Sequence, residues 1–562
     1  MGVSFAEVRR AFRWEDAVAA LDWDATRRLN LAHEACDRWA RDRGRVALVW
    51  AGAAGDARTF TYFELGRLAS RLANVLRRAG IGRGDRVAAL MPRLPEAYVA
   101  SLAVWKLGAI FVPLFTGFGP DAIRHRLAAS GARAIVTEGR HRELLARGLH
   151  EDVPALVVAG ERGRGLRRGD LSFWAEVERA DPAFATVETR PDEPCTLMFT
   201  SGTTGPPKGC IIPHGALVGL IPFVQHVLAL GPDDLLWATA DPGWAFGLFT
   251  TGAVPMALGH PRLVYEGDFN ARAWWRVAEE HQVTHLTGAP TAYRSLVAAG
   301  EEALAGRALA IRRATSAGEP LNPEPIRWLA EHAGFDVYDS YGLTEVGMVT
   351  GNPRTVAHRL KAGSMGFPLP GYDVALLDAS GREVPPHQTG TIAVRRHAWF
   401  LSSGYWEMDD AWAARWQDDE WFLTGDAAHA DEDGYLWFVA RQDDVIVSSG
   451  MNVGPFEVES VLVAHPAVAE AAVVGVPDAR RGHAIKAYVV LRDAARGGPE
   501  LAVELQDAVR QQVGRHAAPR EVEFAASLPR TESGKIQRAL LRRPAAESAV
   551  SEQAPADGAR QP

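Results

Sequence analysis

The sequence predicts an α/β protein: a large N-terminal domain of two α/β sheet units and a small β-barrel, then a small α+β C-terminal domain. Three observations support this. Short apolar runs alternate with helical patterns from Arg86 onward, which is typical of a largely parallel sheet. Residues 374–377 and 390–394 have alternating patterns, as in a small β-barrel or sheet. After about residue 443 shorter strands and helices follow one another.

The first sheet unit is predicted from its helix signals and apolar runs. Residues 1–60 are interpreted as helical, with a turn at 51–55. A helix is predicted from Thr59 to about Ala79, because Thr61 and Glu64 form a capping-box pair. Buried strands are predicted for the four apolar runs 86–91, 110–114, 134–137 and 155–158. A helix is predicted over 94–107, between the first two strands.

The later elements follow the same logic. Residues 191–199 are expected to lead into the second unit, and the small barrel is predicted at 374–377 and 390–394. We place the N-terminal domain at 1–442, the C-terminal domain at 443–544, and a disordered tail, rich in Ala, Ser, Glu, Gln and Pro, at 545–562. The remaining predictions are strands at 234–238, 262–265, 285–288, 469–475 and 485–491, and helices at 455–464 and 500–515.

Composition excludes several classes of protein. The chain has 562 residues and a formal net charge of −8, whereas nucleic-acid binders usually carry a basic domain or stripe. Its three cysteines are scattered, so we predict no disulfide framework and a reducing cytoplasm. The N-terminus lacks an apolar signal segment, and the apolar stretch 216–230 is too short to span a membrane. We therefore expect a cytoplasmic protein with no nucleic-acid partner.

Lysine is scarce. The chain has 61 Lys and Arg residues, of which only five are lysine, a skew that coding bias explains. Each lysine is nevertheless a candidate for work that a planar guanidinium does badly. The five are Lys106, Lys208, Lys361, Lys486 and Lys535.

The strongest local motif is TSGTTGPPKG at 200–209, directly after the apolar run 196–199. Glycines let backbone N–H groups face an anion, and Ser and Thr hydroxyls add donors. Lys208 adds a point charge suited to phosphate. The order Pro-Lys-Gly disfavours a P-loop, which requires Gly-Lys-Ser/Thr. A plain Gly/Ser/Thr surface turn is the alternative.

This segment resembles the phosphate-binding loop of adenylate-forming enzymes, the superfamily of acyl-CoA synthetases, luciferases and nonribosomal peptide adenylation domains. Other segments occur in the family's order, and the likeness covers about residues 30–542. Residues 318–323 and 241–244 are most similar to the acetyl-CoA and medium-chain acyl-CoA synthetase branch. The further segments are YGLTE at 341–345, WFLTGD at 421–426, GYL at 434–436, RQDDVI at 441–446 and PRTESGK at 529–535.

The resemblance implies a two-step reaction that uses ATP, Mg²⁺ and coenzyme A. A carboxylic acid becomes an acyl-adenylate with release of pyrophosphate, and a thiol then takes the acyl group and releases AMP. Thr344 would lie near the α-phosphate, and Glu345 would bind Mg²⁺, a hard cation that prefers carboxylates. Asp426 would accept both ribose hydroxyls, with Arg441 at the ribose or phosphate. The other implied ATP contacts are Thr200, Ser201, Gly202, Thr203, Thr204 and Lys208 for the phosphates, and Gly318, Glu319, Pro320, Asp339, Ser340, Tyr341 and Gly342 around adenine.

The resemblance also implies a mobile C-terminal domain. Lys535 would reach in to bridge the substrate carboxylate and the α-phosphate, which makes it the main catalytic residue of adenylation. Asp443 matches the hinge position, about which the domain would turn after adenylation. The loop with Ser449, Gly450 and Asn452 would then face the thiol of coenzyme A.

The acyl pocket is implied to leave room for an acid longer than acetate. Acetate-specific relatives close the pocket with a tryptophan at the position of Gly342, and glycine there leaves space. We therefore expect a medium-chain or aromatic acid. Core packing is the alternative for the three large aromatic residues of this set. The proposed lining residues are Trp237, Trp244, Phe246, Gly247, Gly288 and Gly342.

One departure from the family pattern keeps the aryl-CoA ligases open: Asn452 replaces an arginine common in the synthetase branch and is similar to some of those ligases. Ala440 replaces a glycine, which is a minor change. A second hypothesis loads the acyl group onto a free carrier protein's phosphopantetheine, since no carrier domain follows Lys535. A third is a non-catalytic nucleotide-binding protein. A homodimer is a further option for the assembly.

Overall fold

The computed structural model describes residues 4–145, 155–158, 166, 170–200, 207–397, 399–448, 451–478, 482–493, 497–530 and 535–542. The described residues divide into two compact units. The larger lies within residues 1–424 and 428–437, and the smaller within 425–427 and 438–562. The predicted tail 545–562 lies outside the described residues.

The first part of the larger unit alternates strands and helices. Up to Thr200 its strands are β1 Val46–Ala51, β2 Ala57–Thr61, β3 Arg86–Leu90, β4 Ile110–Leu114, β5 Ala134–Glu138, β6 Ala155–Val158, β7 Leu171–Ser172 and β8 Pro194–Thr200. The helices are α1 Phe5–Ala11, α2 Trp14–Ala19, α3 Tyr62–Arg78, α4 Pro95–Lys106, α5 Pro120–Ser130, α6 Arg142–Leu145 and α7 Phe173–Arg179.

From Lys208 to Arg441 the alternation continues and ends in consecutive strands. The strands are β9 Lys208–Pro213, β10 Leu236–Ala238, β11 Arg262–Tyr265, β12 His285–Gly288, β13 Arg313–Ser316, β14 Val337–Leu343, β15 Gly347–Gly351, β16 Phe367–Pro368, β17 Val374–Leu377, β18 Gly390–Arg395, β19 Gly404–Tyr405, β20 Trp416–Gln417, β21 Trp421–Ala430 and β22 Leu436–Arg441. The helices are α8 Ala216–Phe223, α9 Val254–Ala257, α10 Ala271–Glu280, α11 Pro290–Ala298, α12 Glu301–Leu304, α13 Pro323–His332 and α14 Asp409–Ala413, with π-helical turns at His33–Asp37, Val224–Leu228 and Phe246–Ala253.

Two large sheets organise this unit. One runs in the order β19-β9-β8-β4-β3-β5-β6-β7, with β8 to β7 parallel and β9 and β19 antiparallel at one edge. The other runs β16-β15-β14-β13-β12-β10-β11-β1-β2, with a parallel centre from β14 to β1. A five-stranded sheet holds β17, β18, β20, β21 and β22. The α/β fold with a sheet at the predicted barrel position is confirmed.

Two local predictions are wrong. Residues 46–61 are not helical, because β1 and β2 form an antiparallel pair and β1 continues the second sheet beside β11. The strand at 194–200 does not begin the second unit, since β8 pairs in parallel with β4 in the first sheet. In both cases a partner distant in sequence decides where a short apolar run is buried.

Helix α3 forms where its cap predicts, although it begins at Tyr62 rather than Thr59. The Thr61 hydroxyl accepts the backbone N–H of Glu64 (3.2 Å), and the Glu64 carboxylate accepts the N–H of Thr61 (2.8 Å). This capping box satisfies two backbone donors that the first helical turn leaves unpaired. Helix α4 starts with Pro95 at its first turn and is buried around nearly its whole circumference, as a helix between two layers must be.

The smaller unit is an α+β module. After the 3₁₀ turn Gln442–Asp444 its elements are β23 Ile446–Ser448, β24 Met451–Val453, α15 Pro455–Val463, β25 Val468–Asp478, β26 Gly482–Leu491, α16 Pro499–Gln512, β27 Glu521–Phe524 and α17 Arg538–Leu541. The sheet order is β24-β23-β26-β25, with β27 parallel to β26. Its core packs β25 and β26 against α15 and α16. Across the described ranges, no helix is long and apolar enough to cross a bilayer.

Candidate active site

The glycine-rich motif closes a β-hairpin. Strands β8 and β9 are antiparallel, with Thr200 opposite Lys208. The Thr200 hydroxyl donates to the Lys208 carbonyl (3.3 Å), so the two ends of the loop are held together. The loop residues Ser201, Gly202, Thr203 and Thr204 lie outside the described residues. A loop pinned at both ends by a hairpin is suited to present backbone N–H groups to an anion.

The candidate adenine-binding residues collect at one end of the second sheet. Strands β13 and β14 are parallel, so their carboxyl ends meet at the same edge. Residues 318–320 follow β13, and residues 339–342 form the end of β14. Gly318 has a φ of +102°, a backbone conformation that favours glycine. Ligands bind at such carboxyl ends in open α/β sheets.

Asp339 is the most unusual titratable group of this edge. Its carboxylate Oδ2 accepts the backbone N–H of Leu321 (3.2 Å). Its Oδ1 is buried and has no hydrogen-bond partner among the described residues. Burial raises the pKa of Asp339 to about 8. An orphaned, protonatable carboxyl group here fits a ligand that offers hydrogen-bonding nitrogen atoms, as adenine does.

The side chains of Ser340 and Glu319 have protein partners instead. The Ser340 hydroxyl donates to the carbonyl of Ser316 (2.8 Å), which ties β14 to β13. One oxygen of the Glu319 carboxylate accepts a guanidinium N–H of Arg294 (2.8 Å) and the hydroxyl of Thr291 (3.3 Å). Glu319 therefore holds the segment after β13 against helix α11.

Thr344 and Glu345 lie in the turn between β14 and β15, and Glu345 is joined to the glycine-rich hairpin. The Tyr405 hydroxyl donates to Glu345 Oε1 (2.8 Å). The Lys208 ammonium lies 4.9 Å from the centroid of the Tyr405 ring. Strand β19, which carries Tyr405, pairs with β9, which Lys208 begins. Three segments distant in sequence thus meet at Tyr405.

The Glu345 carboxylate fits a magnesium ion. Its Oε2 takes no part in the bond from Tyr405, and carboxylate oxygens are preferred Mg²⁺ ligands. Among the described residues no group of three His, Cys, Asp or Glu side chains could hold a metal. That is compatible with Mg²⁺, which proteins usually bind through one or two carboxylates together with substrate phosphates.

The candidate acyl-pocket aromatics are packed to different degrees. Trp237 lies on β10 in the core and is 2% exposed, with its ring centroid 5.2 Å from that of Trp274. This packing favours a core role for Trp237. Trp244 is half-buried, and its ring lies 5.4 Å from Phe115. Phe246 is also half-buried and begins a π-helical turn.

The three glycines of the predicted acyl pocket are positions of close backbone approach. A Cβ at Gly247 would lie 2.3 Å from the carbonyl oxygen of Asp241, and one at Gly288 would lie 2.8 Å from the Thr239 hydroxyl. Neither position accepts a larger residue without local movement.

The expectation that glycine at position 342 leaves space in the acyl pocket is wrong. A Cβ at Gly342 would lie 2.3 Å from the carbonyl oxygen of Gly347 and 2.8 Å from the Cα of Met348. The side-chain direction at this position therefore points into the backbone of β15 and not into open space. Glycine is required here by the β14–β15 pairing, and a tryptophan at 342 needs a displaced β15.

The remaining candidates belong to the smaller unit. Asp426 is on β21 within its short segment 425–427, and Arg441 ends β22. Asp443 is exposed in a 3₁₀ turn, and Lys535 is also exposed. The backbone of Asn452 pairs with Val447 in the β23–β24 hairpin, whose tip residues Ser449 and Gly450 lie outside the described residues.

Sequence reasoning missed Tyr405. It follows Glu345 by 60 residues and Lys208 by almost 200, and no spacing rule connects them. Only the antiparallel pairing of β19 with β9 brings the three together.

Comparisons with known proteins agree with this architecture. The AMP-binding enzyme family model matches residues 36–406, and the AMP-binding enzyme C-terminal domain matches residues 457–535. An acetyl-coenzyme A synthetase of Bacillus subtilis is 38% identical over 96% of this chain and 94% of its own. The crystal structure of a Brucella canis acyl-CoA synthetase is 40% identical, with a TM-score of 0.76 over 98% of this chain and 99% of its own.

A third relative adds an aromatic acid to this range. A benzoate CoA ligase of Burkholderia xenovorans is 29% identical, with a TM-score of 0.80 over 92% of this chain and 100% of its own. The two family-model matches fall one in each unit. The chain therefore belongs to the AMP-binding enzyme family, in its acyl-CoA synthetase branch.

Proposed function

We propose that this protein converts a carboxylic acid longer than acetate, of the medium-chain or aromatic class, to its coenzyme A thioester. The reaction uses ATP and Mg²⁺ and passes through an acyl-adenylate. The observation that carries the proposal is the junction of Lys208, Tyr405 and Glu345, which joins a phosphate-suited cation to a magnesium-suited carboxylate.

In the first half-reaction an oxygen of the substrate carboxylate attacks the α-phosphorus of ATP. The bond between this phosphorus and the bridging oxygen breaks, and pyrophosphate leaves with that electron pair. The attack brings an anion to a polyanion, so fixed positive charge supplies much of the rate enhancement. Lys208 and the loop 200–204 bind the β- and γ-phosphates, Thr344 the α-phosphate, and Lys535 both the α-phosphate and the attacking carboxylate.

Bound Mg²⁺ neutralises phosphate charge, and Glu345 is the residue that would hold it. Asp339 and residues 318–320 would receive the adenine. The ring of Tyr341 would stack on the base, and Ser340 and Gly342 belong to the same strand end. Asp426 would accept the ribose hydroxyls, with Arg441 beside the ribose or phosphate.

In the second half-reaction the thiolate of coenzyme A attacks the acyl carbon, and AMP leaves with the electrons of the acyl–oxygen bond. We propose that the C-terminal domain, 443–544, turns about Asp443 between the two steps. Lys535 is then withdrawn from the catalytic domain, 1–442, and the hairpin with Ser449, Gly450 and Asn452 replaces it. The neutral Asn452 would contact coenzyme A without a charge.

An acid longer than acetate is supported by the relatives. Their names include an acyl-CoA synthetase and a benzoate CoA ligase beside the acetyl-coenzyme A synthetase, so the family's fold accepts acids of different size. Trp244, Phe246, Gly247 and Gly288 would line the pocket, with Trp237 behind them in the core.

Two alternatives keep the adenylation step. An aryl-CoA ligase uses the same chemistry on an aromatic acid, which the neutral Asn452 favours. A carrier-loading enzyme transfers the acyl group to a free protein's phosphopantetheine instead of coenzyme A. We place the enzyme in the cytoplasm, and a homodimer is one candidate assembly.

An acid panel tests the proposal. Acid-dependent pyrophosphate release is measured with acetate, hexanoate and benzoate, followed by AMP release with and without coenzyme A. We expect hexanoate or benzoate to exceed acetate in kcat/KM by at least about tenfold, since each buried CH₂ adds about 0.8 kcal/mol. Faster turnover of acetate would reject the pocket. Pyrophosphate release without coenzyme-A-dependent AMP release would favour carrier loading.

A further inference from the structure

We propose that Tyr405 is the positioning residue that sets the distance between the magnesium-binding carboxylate and the phosphate-binding lysine. This inference rests on the function proposed above and extends it to a residue that no motif marks. Its hydroxyl holds Glu345, and its ring supports Lys208.

The contacts show why one residue can do both. The hydroxyl donates to Glu345 Oε1 at 2.8 Å, leaving Oε2 for a cation. The Lys208 ammonium lies 4.9 Å from the ring centroid, within the range of a cation–π contact. Hydroxyl and ring face are separate parts of one rigid side chain, so both contacts are fixed relative to each other.

Tyr405 is itself held firmly. It is 2% exposed, and its backbone pairs with Cys210 two residues beyond Lys208. Trp412 packs edge-on against its ring, with centroids 5.1 Å apart.

The backbone adds a second tie. The N–H of Ser402 donates to the Glu345 carbonyl (3.0 Å), and the Ser402 hydroxyl donates to the Gly404 carbonyl (2.9 Å). The segment before Tyr405 thus holds the Glu345 main chain while Tyr405 holds its carboxylate. Loss of the tyrosine hydroxyl should free the carboxylate and leave the main chain in place.

The experiment separates the two halves of the side chain. Tyr405→Phe keeps the ring and removes the hydroxyl, whereas Tyr405→Leu removes both. Calorimetric titration gives the Kd of ATP in the presence of Mg²⁺ and in the presence of EDTA. The ratio of the EDTA value to the Mg²⁺ value is the gain in ATP affinity that the metal provides, called the magnesium gain below. We expect Tyr405→Phe to reduce that gain roughly tenfold, since a hydrogen bond to a charged group is lost. The Kd that Tyr405→Phe shows for ATP in EDTA should stay within about twofold of that of the unmodified protein. Tyr405→Leu should bind ATP more weakly in EDTA, because it also loses the ring beneath Lys208.

Tyr372→Phe is the matched control. Tyr372 is equally buried, and its hydroxyl donates to the Gly219 carbonyl (2.8 Å) instead of the Glu345 carboxylate. Its magnesium gain should equal that of the unmodified protein. An unchanged gain in Tyr405→Phe, or an equal loss in Tyr372→Phe, would overturn the role of Tyr405. The proposed function itself fails separately, if the unmodified protein neither binds ATP nor releases pyrophosphate with any acid.

A second inference rests on a different observation. We infer that Arg262 binds a small monovalent anion, of the size of chloride, inside the larger unit. Arg262 begins β11 and is 1% exposed. None of its three guanidinium nitrogens has a hydrogen-bond partner, from a carboxylate or any other group, among the described residues.

A cavity adjoins this guanidinium. Its volume is about 10 Å³, near the lower limit for an occupant of the size of a water molecule. Apolar and aromatic side chains form most of the wall, and each lining residue is at most 5% exposed. The Ser101 hydroxyl, also in the wall, donates to the Tyr98 carbonyl and is already satisfied. The lining includes Arg262, Tyr98, Ser101, Trp105, Leu248 and Met256.

Charge compensation favours an anion over a water molecule. Arginine stays protonated in proteins, and an unpaired buried charge is costly. The Tyr98 ring, whose centroid lies 4.8 Å from the guanidinium carbon, offsets part of this cost. A water molecule needs two to four polar partners, and among the described lining residues the unpaired N–H donors are those of Arg262. An anion accepts from these donors and neutralises the charge.

Bromide identifies the occupant. Crystals of the full chain grown in sodium bromide should give an anomalous peak within about 3.5 Å of an Arg262 nitrogen. Arg354 is the internal control, because it is stacked 3.6 Å from Tyr338 and donates to the Ala314 carbonyl. No peak is expected there.

A melting experiment in solution complements the crystal. At fixed ionic strength, replacing gluconate by chloride should raise the Tm of the unmodified protein by a few degrees and leave that of Arg262→Met unchanged. If Arg262→Met does not fold, the crystal experiment decides alone. Absence of the bromide peak at Arg262 would overturn the inference.

Discussion

At the scale of single residues, three of the five lysines form ion pairs that hold the fold together. Lys106 is 2% exposed and pairs with Asp37 (2.5 Å). The two other paired lysines each contact two carboxylates, so their charges are used within the fold. They are Lys361, with Asp431 and Asp433 (both 2.7 Å), and Lys486, with Glu521 (2.6 Å) and Glu523 (2.8 Å). Lys208 and Lys535, in the two glycine-containing motifs, stay as the candidates for phosphate chemistry.

A substitution at Gly342 tests whether β14 and β15 approach too closely there for a side chain. Gly342→Ala places a methyl group 2.3 Å from a backbone oxygen that cannot rotate away, so we expect a loss of about 1–3 kcal/mol in the free energy of unfolding. Urea denaturation measures it. Gly82→Ala is the control, because nothing lies within 4 Å of a Cβ there and its φ is ordinary. Equal effects of the two substitutions would contradict the packing account.

Asp339 makes stability depend on pH. The folded protein keeps its proton up to about pH 8, whereas the unfolded chain loses it near pH 4, so stability falls as pH rises between these values. Asp339→Asn should remove a slope of about 1 kcal/mol per pH unit, measured by urea denaturation from pH 6.5 to 8. Asp336→Asn, at an exposed position three residues earlier, should keep the slope. Parallel curves for Asp339→Asn and the unmodified protein would contradict the raised pKa.

At the scale of elements, the hairpin β1–β2 shows what local patterns leave undecided. The run 46–51 is short and apolar, and periodicity alone cannot distinguish a buried strand from part of a helix in such a run. Its partner β11 lies more than 200 residues later. Long-range pairing therefore set the structure of this segment.

The capping box of α3 is a local signal that the structure realises. Thr61→Ala removes the hydroxyl that accepts the Glu64 N–H, and we expect a loss of about 1 kcal/mol in the free energy of unfolding. Ser172→Ala is the control at the N-cap of α7, where the side chain makes no capping bond. The midpoints of urea denaturation should differ between the two variants. If Ser172→Ala costs as much, the cap of α3 is not the cause.

At the scale of the whole molecule, the proposed reaction requires two arrangements of two units. The smaller unit has its own sheet and apolar core, so it can turn as one body about a short connection. An exposed Asp443 in a 3₁₀ turn is a position where a change of φ and ψ meets little packing resistance.

Lys535→Ala tests the division of labour between the two arrangements. We expect adenylation to fall by at least about 10²-fold, since a charge that stabilises the transition state is lost. Thioester formation from a supplied acyl-adenylate should stay within about threefold. Rapid-quench assays measure each half-reaction. Lys486→Ala, a paired lysine of the same unit, should spare both, and equal loss of both half-reactions in Lys535→Ala would reject the two arrangements.

The candidate site divides in the same way between local and long-range information. Residues within one motif, such as Thr344 and Glu345, are adjacent in sequence and can be read together. Tyr405 has no such neighbour, and its relation to Glu345 depends on the pairing of β19 with β9. The reason for Gly342 also needed the structure, because the obstructing atoms belong to the next strand.

The sequence by itself determined the α/β class, most of the strands, the helix cap at Thr61 and the family to which the motifs belong. These features depend on contacts between residues close in the chain, which composition and periodicity record. Only the tertiary structure decided that residues 46–61 join the second sheet, that Arg262 is buried without a partner, and that Tyr405 joins Lys208 to Glu345. Each of these depends on strands or side chains distant in sequence, whose proximity is fixed by the burial of whole sheets.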